Sequence, residues 1–358
     1  MQQRVNEIDL LRFIAALAVV FFHYAFRGYA ADDLSILPYP LLAPLAKYGY
    51  LGVELFFMIS GFVILMTAIA TNVRGFVISR ASRLYPAFWI ACTLTFIVTF
   101  YLGEPRFKAS FTEYLGNMTL LGEFIGINSL DGSYWSLFIE LRFYFLIALL
   151  LALKKIHYAQ TALIAWLVVS FALEIKPIGT LRAIFITEYA AFFIAGATCF
   201  LIWAESLSIS KGLMLLSAWA LSEYEMLSSL PALEQHYQTT FNPLTIIGIV
   251  SSFFLILFLI AQRWTGLFAH KRWLVLGALT YPLYLIHQNI GYMLFNQLYS
   301  NINPHLLFWG TLGLMLILAY GIYAVFEKRL ARQLRQLLGQ VLKIKPATHI
   351  TSSLSSSS

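Results

Sequence analysis

The chain has 358 residues, of which 60% are hydrophobic and only 11% charged, and its mean hydropathy is +0.75. Soluble domains carry about 25% charged residues, so this composition excludes a water-soluble protein and requires most side chains to face lipid or one another. The formal net charge of +7 is explained by membrane topology and contact with anionic lipid, and it calls for no nucleic acid partner.

Apolar segments of about 17 to 25 residues predict an all-α fold, a polytopic membrane helical bundle of about ten transmembrane helices. The first runs from Ile8 to Phe26 and contains "LLRFIAALAVVFFHYAF", in which Arg12 and His23 interrupt an otherwise apolar run. At 1.5 Å per residue they lie about 16 Å apart along the axis. Phe13 to Phe26 followed by "RGYA" also reads as a signal-peptide core with a cleavage site, and removal of that segment would take His23 with it.

The second span, Tyr48 to Ala70, carries Glu54 and Ser60 in "GYLGVELFFMISGFVI". Ahead of the third, Leu84 to Leu102, stands "RGFVISRASRLYPAFW", where Arg80 and Arg83 at i,i+3 share one helix face. The longest connection, Gly103 to Ser133, has room for a short interfacial helix and little more. The fourth span, Tyr134 to Leu153, contains "YWSLFIELRFYFL" with Ser136, Glu140, Arg142 and Tyr144.

Tyr158 to Leu173, Ala183 to Trp203 with Glu188, and a short seventh segment, Lys211 to Tyr224, come next; then Pro243 to Ala261, Trp273 to Leu294 with His287 in "YPLYLIH", and His305 to Phe326. These spans make residues 1–328 one transmembrane domain. Residues 329–345 read as a basic amphipathic helix on the membrane surface, and 346–358 as a disordered low-complexity tail. Cys92 and Cys199 lie in apolar runs without metal-ligand spacing, so they read as small buried hydrophobes and no metal site is expected.

Of the 24 lysines and arginines, sixteen fall on the side of the termini, six on the other side, and two within spans. That asymmetry predicts cytoplasmic N and C termini, and the chain is expected, separately, in the plasma (inner) membrane of a bacterium. The asymmetry also assigns depths. Arg12 sits in the inner leaflet, while His23, Glu140, Glu54 and Glu188 converge toward the outer one and His287 lies near mid-depth. Charge at such depth costs at least about 2.5 to 3.5 kcal/mol per residue on insertion scales unless it is paired or faces a water-filled cavity.

The cluster therefore reads either as polar glue between helices, for instance a Glu140–Arg142 pair, or as a site. As a site, His23 would be a base near pH 7, with Glu140 fixing its tautomer and stabilising its cation. Arg80 and Arg83 would grip an anionic ligand or serve only as topology charges.

These residues together resemble the acyltransferase-3 family of membrane acyltransferases. The resemblance is carried by Arg12 and His23, by the Gly-Val, Phe-Phe and Ser-Gly-Phe of "GYLGVELFFMISGFVI", by "RASRLYP", by Trp135, Ser136, Glu140 and Tyr144, and by "YPLYLIH", in the family's order over nearly the whole chain. It implies an enzyme that uses cytoplasmic acyl-CoA, most often acetyl-CoA, as co-substrate to esterify a hydroxyl of a carbohydrate or lipid-linked glycan acceptor such as a surface polysaccharide or O-antigen. It makes His23 the essential catalytic residue and Arg12, Arg80 and Arg83 the candidates for the CoA phosphates. Many relatives add an extracytoplasmic esterase-like domain, which this sequence lacks after its last span; partner activity is then expected from separate glycan-assembly proteins. Arg12 would steer the CoA moiety while His23, oriented by Glu140, either deprotonates the acceptor or is transiently acylated. Glu54, Ser60, Ser136, Tyr144 and His287 are supporting candidates. The competing classes are a proton-coupled transporter of an anionic solute and a silent membrane scaffold.

Overall fold

The computed structural model describes residues 5–342, all of whose regular structure is helical. The expected disordered tail and the last three residues of the amphipathic segment lie outside the described residues. Ten long helices follow in order: α1 Asn6–Phe22, α2 Gly52–Ile69, α3 Val73–Leu102, α4 Trp135–Ala152, α5 Ala159–Ile175, α6 Thr187–Glu205, α7 Ile209–Ser228, α8 Pro243–Ala261, α9 Trp273–Leu298 and α10 Pro304–Gly321. An eleventh, α11 Lys328–Val341, continues α10 through a widened π turn at Ile322–Glu327. The long connection before α4 carries one eight-residue helix, Phe111–Met118, started by a reciprocal Ser110–Glu113 capping box.

Eight of the helical runs are long and apolar enough to cross a membrane by length and composition. The two of the ten that fall short are α7 and α9, and both have a physical reason. α7 carries Lys211, Glu223 and Glu225, all buried. α9 is enclosed by protein along Leu283 to Gln288, and a helix that meets little lipid can be polar without penalty. At 26 residues, α9 would be about 39 Å long. The sixth segment also differs from its expected limits, because the helix from Gly179 to Phe185 breaks at Ile186, whose φ of 54° stops it before α6 begins.

Packing is closest where side chains vanish. A Cβ on Gly61 of α2 would strike the Phe193 carbonyl, and one on Gly196 of α6 the Met58 carbonyl, so the two helices meet backbone to backbone. Between 33% and 39% of the spanning window is buried in α4, α5 and α8, against 78% in α6, which makes α6 a central helix and leaves the others at the rim. Exposed Phe145, Val168, Leu255 and Ile317 are apolar side chains turned outward, as contact with lipid requires.

α1 and α9 run parallel. Gly277 accommodates the Asp9 carboxylate, Gly291 accommodates the Tyr24 ring, and the Tyr24 hydroxyl donates to the His287 carbonyl at 2.7 Å. This register brings the two buried histidines side by side. Beyond Phe22, α1 widens into a π turn over His23–Arg27, in which the Gly28 N–H donates to the His23 carbonyl five residues back.

Candidate active site: an arginine mouth, a throat and a histidine chamber

Three cavities follow one another through the bundle. The first, a mouth of about 590 Å³, opens among α1, α3, α9 and α11, where Arg12, Arg80, Arg83, Lys328 and Arg335 face Asp9 and Glu327. Asp9 sits 3.9 Å from Arg12, one turn before it. Arg83 is ion-paired with Glu327 at 2.6 Å. The Arg80 guanidinium donates to Thr67 Oγ1 at 3.3 Å and lies over the Tyr144 ring, while its buried Nε has no hydrogen-bond partner. Each arginine thus keeps donor capacity toward the cavity, and five cations against two carboxylates suit a polyanionic ligand.

Arg12, Arg80 and Arg83 also line the second cavity, a throat of about 100 Å³ that reaches Ser60, Glu140 and Tyr284. It is the smallest of the three by volume. Ser60 donates to Glu140 Oε1 at 2.6 Å, and the Ser136 and Tyr284 hydroxyls are 2.7 Å apart. Val53 and Tyr284 line both the throat and the third cavity, a chamber of about 360 Å³. The chamber is walled by His23, Arg27, Glu54, Glu188 and Glu225 together with aromatic rings, Trp135 and Tyr237 among them.

Hydrogen bonds fix the state of the histidines. His287 Nδ1 lies 2.8 Å from the Tyr284 carbonyl, which can only accept, so Nδ1 carries the hydrogen. In neutral His287, Nε2 is then an acceptor, and it lies 2.9 Å from His23 Nδ1. His23 Nδ1 must donate, which leaves the lone pair on its Nε2. The pair holds His23, at the chamber wall, as a ready base.

The structure places every sequence candidate at one of these cavities, or, for His287, directly behind His23. It does not join His23 to Glu140. The orienting position expected for Glu140 is occupied by His287, because α9 lies alongside α1 whereas Glu140 of α4 turns to Ser60 of α2. The alternative Glu140–Arg142 pair is absent as well, since Arg142 is directed at Glu123, 4.0 Å away, and at the Phe124 ring. Sequence reasoning missed Tyr284, Arg27, Glu225, Glu327, Lys328 and Arg335 as lining groups. Tyr284 has a usable signal, one turn before His287 in "YPLYLIH"; Arg27 and Glu225 fall just beyond the expected span ends at Phe26 and Tyr224, where a charge is ordinary.

A family model described as an acyltransferase domain matches residues 5–324. Over 172 residues the chain is 28% identical to Nodulation protein 10 of Rhizobium leguminosarum bv. viciae, a stretch covering 42% of this chain and 45% of that protein. The chain therefore spans less than half the length of that curated relative. No solved structure matches.

Proposed function

The chain belongs to the acyltransferase-3 family and is a multi-pass membrane acyltransferase; from that premise we propose that it transfers an acyl group, acetyl first among the candidates, from cytoplasmic acyl-CoA to a hydroxyl of a carbohydrate or lipid-linked glycan. The observation that carries this reading is the order of the cavities: cations at the mouth, a narrow throat, and a base in a chamber beyond it. The mouth lies at the end of the bundle where α1 begins, the side that the charge asymmetry predicts to be cytoplasmic; in this reading the membrane is the plasma membrane of a bacterial cell. Phosphates held by Arg12, Arg80 and Arg83 leave the pantetheine arm to extend about 16 Å to the level of His23, past Ser60 and Glu140.

In the chamber, His23 Nε2 takes the proton of the acceptor hydroxyl as its oxygen attacks the thioester carbonyl carbon. The carbon–sulfur bond breaks, the ester stays on the acceptor, and the imidazolium returns the proton to the departing thiolate. During this step the His23 Nδ1–H bond to His287 Nε2 becomes charge-assisted and strengthens. Glu54 lines the same chamber. A transporter needs neither a mouth of arginines at one end nor a tautomer-locked base.

Release of free CoA from acetyl-CoA, measured with purified protein in native-membrane lipid and glycan extract, tests the proposal. His23→Ala should abolish release while acetyl-CoA still binds, because the phosphates are held at the far end of the throat. Mass spectrometry of surface glycans and lipids from a deletion strain should show one species lacking an acyl mass, restored by the wild-type gene and not by the variant. Near-normal CoA release by His23→Ala would overturn the general-base assignment.

A further inference from the structure

The helix α11 lies beyond the residues matched by the family model, which end at 324, yet it forms one wall of the mouth. Lys328, Ala331 and Arg335 recur at i, i+3 and i+7, on one face, and all three line the cavity opposite Arg80 and Arg83. Arg335 also lines an outer groove together with Thr71, Gly75, Ser79 and Gln340. It thus stands between that groove and the mouth. At its far end α11 is tied to α3 by Arg74, which donates to the Leu342 carbonyl at 3.4 Å.

The residue at the joint is Glu327, in the π turn from which α11 emerges. Its Oε1 holds Arg83 at 2.6 Å, while its buried Oε2 has no hydrogen-bond partner. A carboxylate on one of the mouth's arginines, left half satisfied, is placed where a bound anion would compete with it.

From the apposition of α11 to the arginine-bearing face of α3, we infer that α11 completes the donor site: Lys328 and Arg335 hold phosphates of the CoA nucleotide, and Glu327 is the placeholder anion on Arg83 that a phosphate displaces. The inference rests on the acyl-CoA reading above. The thioester must travel inward through the throat, so the nucleotide remains outermost, and the outermost cations meet its 3′-phosphate. Together with the mouth's other arginines, α11 then distinguishes CoA thioesters from thioesters of pantetheine alone.

The test uses full-length protein in lipid nanodiscs with three donors: acetyl-CoA, acetyl-dephospho-CoA and acetylpantetheine. Wild type should bind them with falling affinity in that order. Lys328→Gln and Arg335→Gln change exposed side chains, and each should raise the Kd for acetyl-CoA about fivefold, the range of a partly exposed ion pair, with the Kd for acetylpantetheine unchanged. Arg335→Gln should also narrow the wild-type preference for acetyl-CoA over acetyl-dephospho-CoA. Glu327→Gln should tighten acetyl-CoA binding by freeing Arg83. Unchanged acetyl-CoA affinity in both cation variants, or equal weakening toward acetylpantetheine, would overturn the inference while leaving the acyltransferase reading intact. Failure of wild type to bind any CoA thioester would instead sink the acyl-CoA reading itself and this inference with it.

Discussion

Replacing His287 separates the structure's account of the base from the one suggested by sequence. His287→Ala removes the Nε2 that accepts from the His23 Nδ1–H at the chamber wall, and with it the contact that favours a lone pair on His23 Nε2. A hydrogen bond to a charged group contributes about 1.5 to 3 kcal/mol, and this bond is charged only while His23 holds the acceptor proton. The loss therefore falls on kcat, by roughly 10- to 150-fold. The KM for acetyl-CoA should stay near wild type, because the arginines lie beyond the throat. His287→Gln should recover part of the loss, since its Oε1 stands near the position of the imidazole Nε2 and accepts from His23. Free thiol release, followed colorimetrically over a range of acetyl-CoA concentrations, gives both constants. A His287→Ala enzyme within twofold of wild-type kcat would refute the tautomer argument, and a large loss in Glu140→Gln beside it would return the orienting role to Glu140.

Arg83→Lys keeps the charge but loses the planar fork that can grip a phosphate through two N–H donors, so acetyl-CoA affinity measured by calorimetry should fall several-fold with the protein still folded. Gly196→Ala drives a Cβ into the Met58 carbonyl, which backbone movement alone can relieve; thermal unfolding should show a loss of about 1 to 3 kcal/mol, against no change for Gly310→Ala, where the added carbon meets nothing. For topology, Cys92 and Cys199 are buried, so single cysteines report cleanly: an impermeant thiol reagent applied outside cells should label Ser129→Cys and miss Ala70→Cys. Labelling of both would break the cytoplasmic assignment of the mouth.

The sequence by itself determined the helical membrane class, the order of the helices and the charge asymmetry, because hydropathy and charge act on each segment against a solvent that is the same for every segment. It also singled out Arg12, Arg80, Arg83, His23 and His287 as ionisable groups in or beside apolar runs. Tertiary structure alone decided their company. His23 meets His287 and not Glu140 because Gly277 and Gly291 let α9 lie parallel against α1 in one register, and Arg83 meets Glu327 because a π turn carries the last helix back over α3. Contacts between residues 264 and 244 positions apart depend on which helices pack together and how each is rotated. Local periodicity is unchanged by either choice, so it cannot encode them.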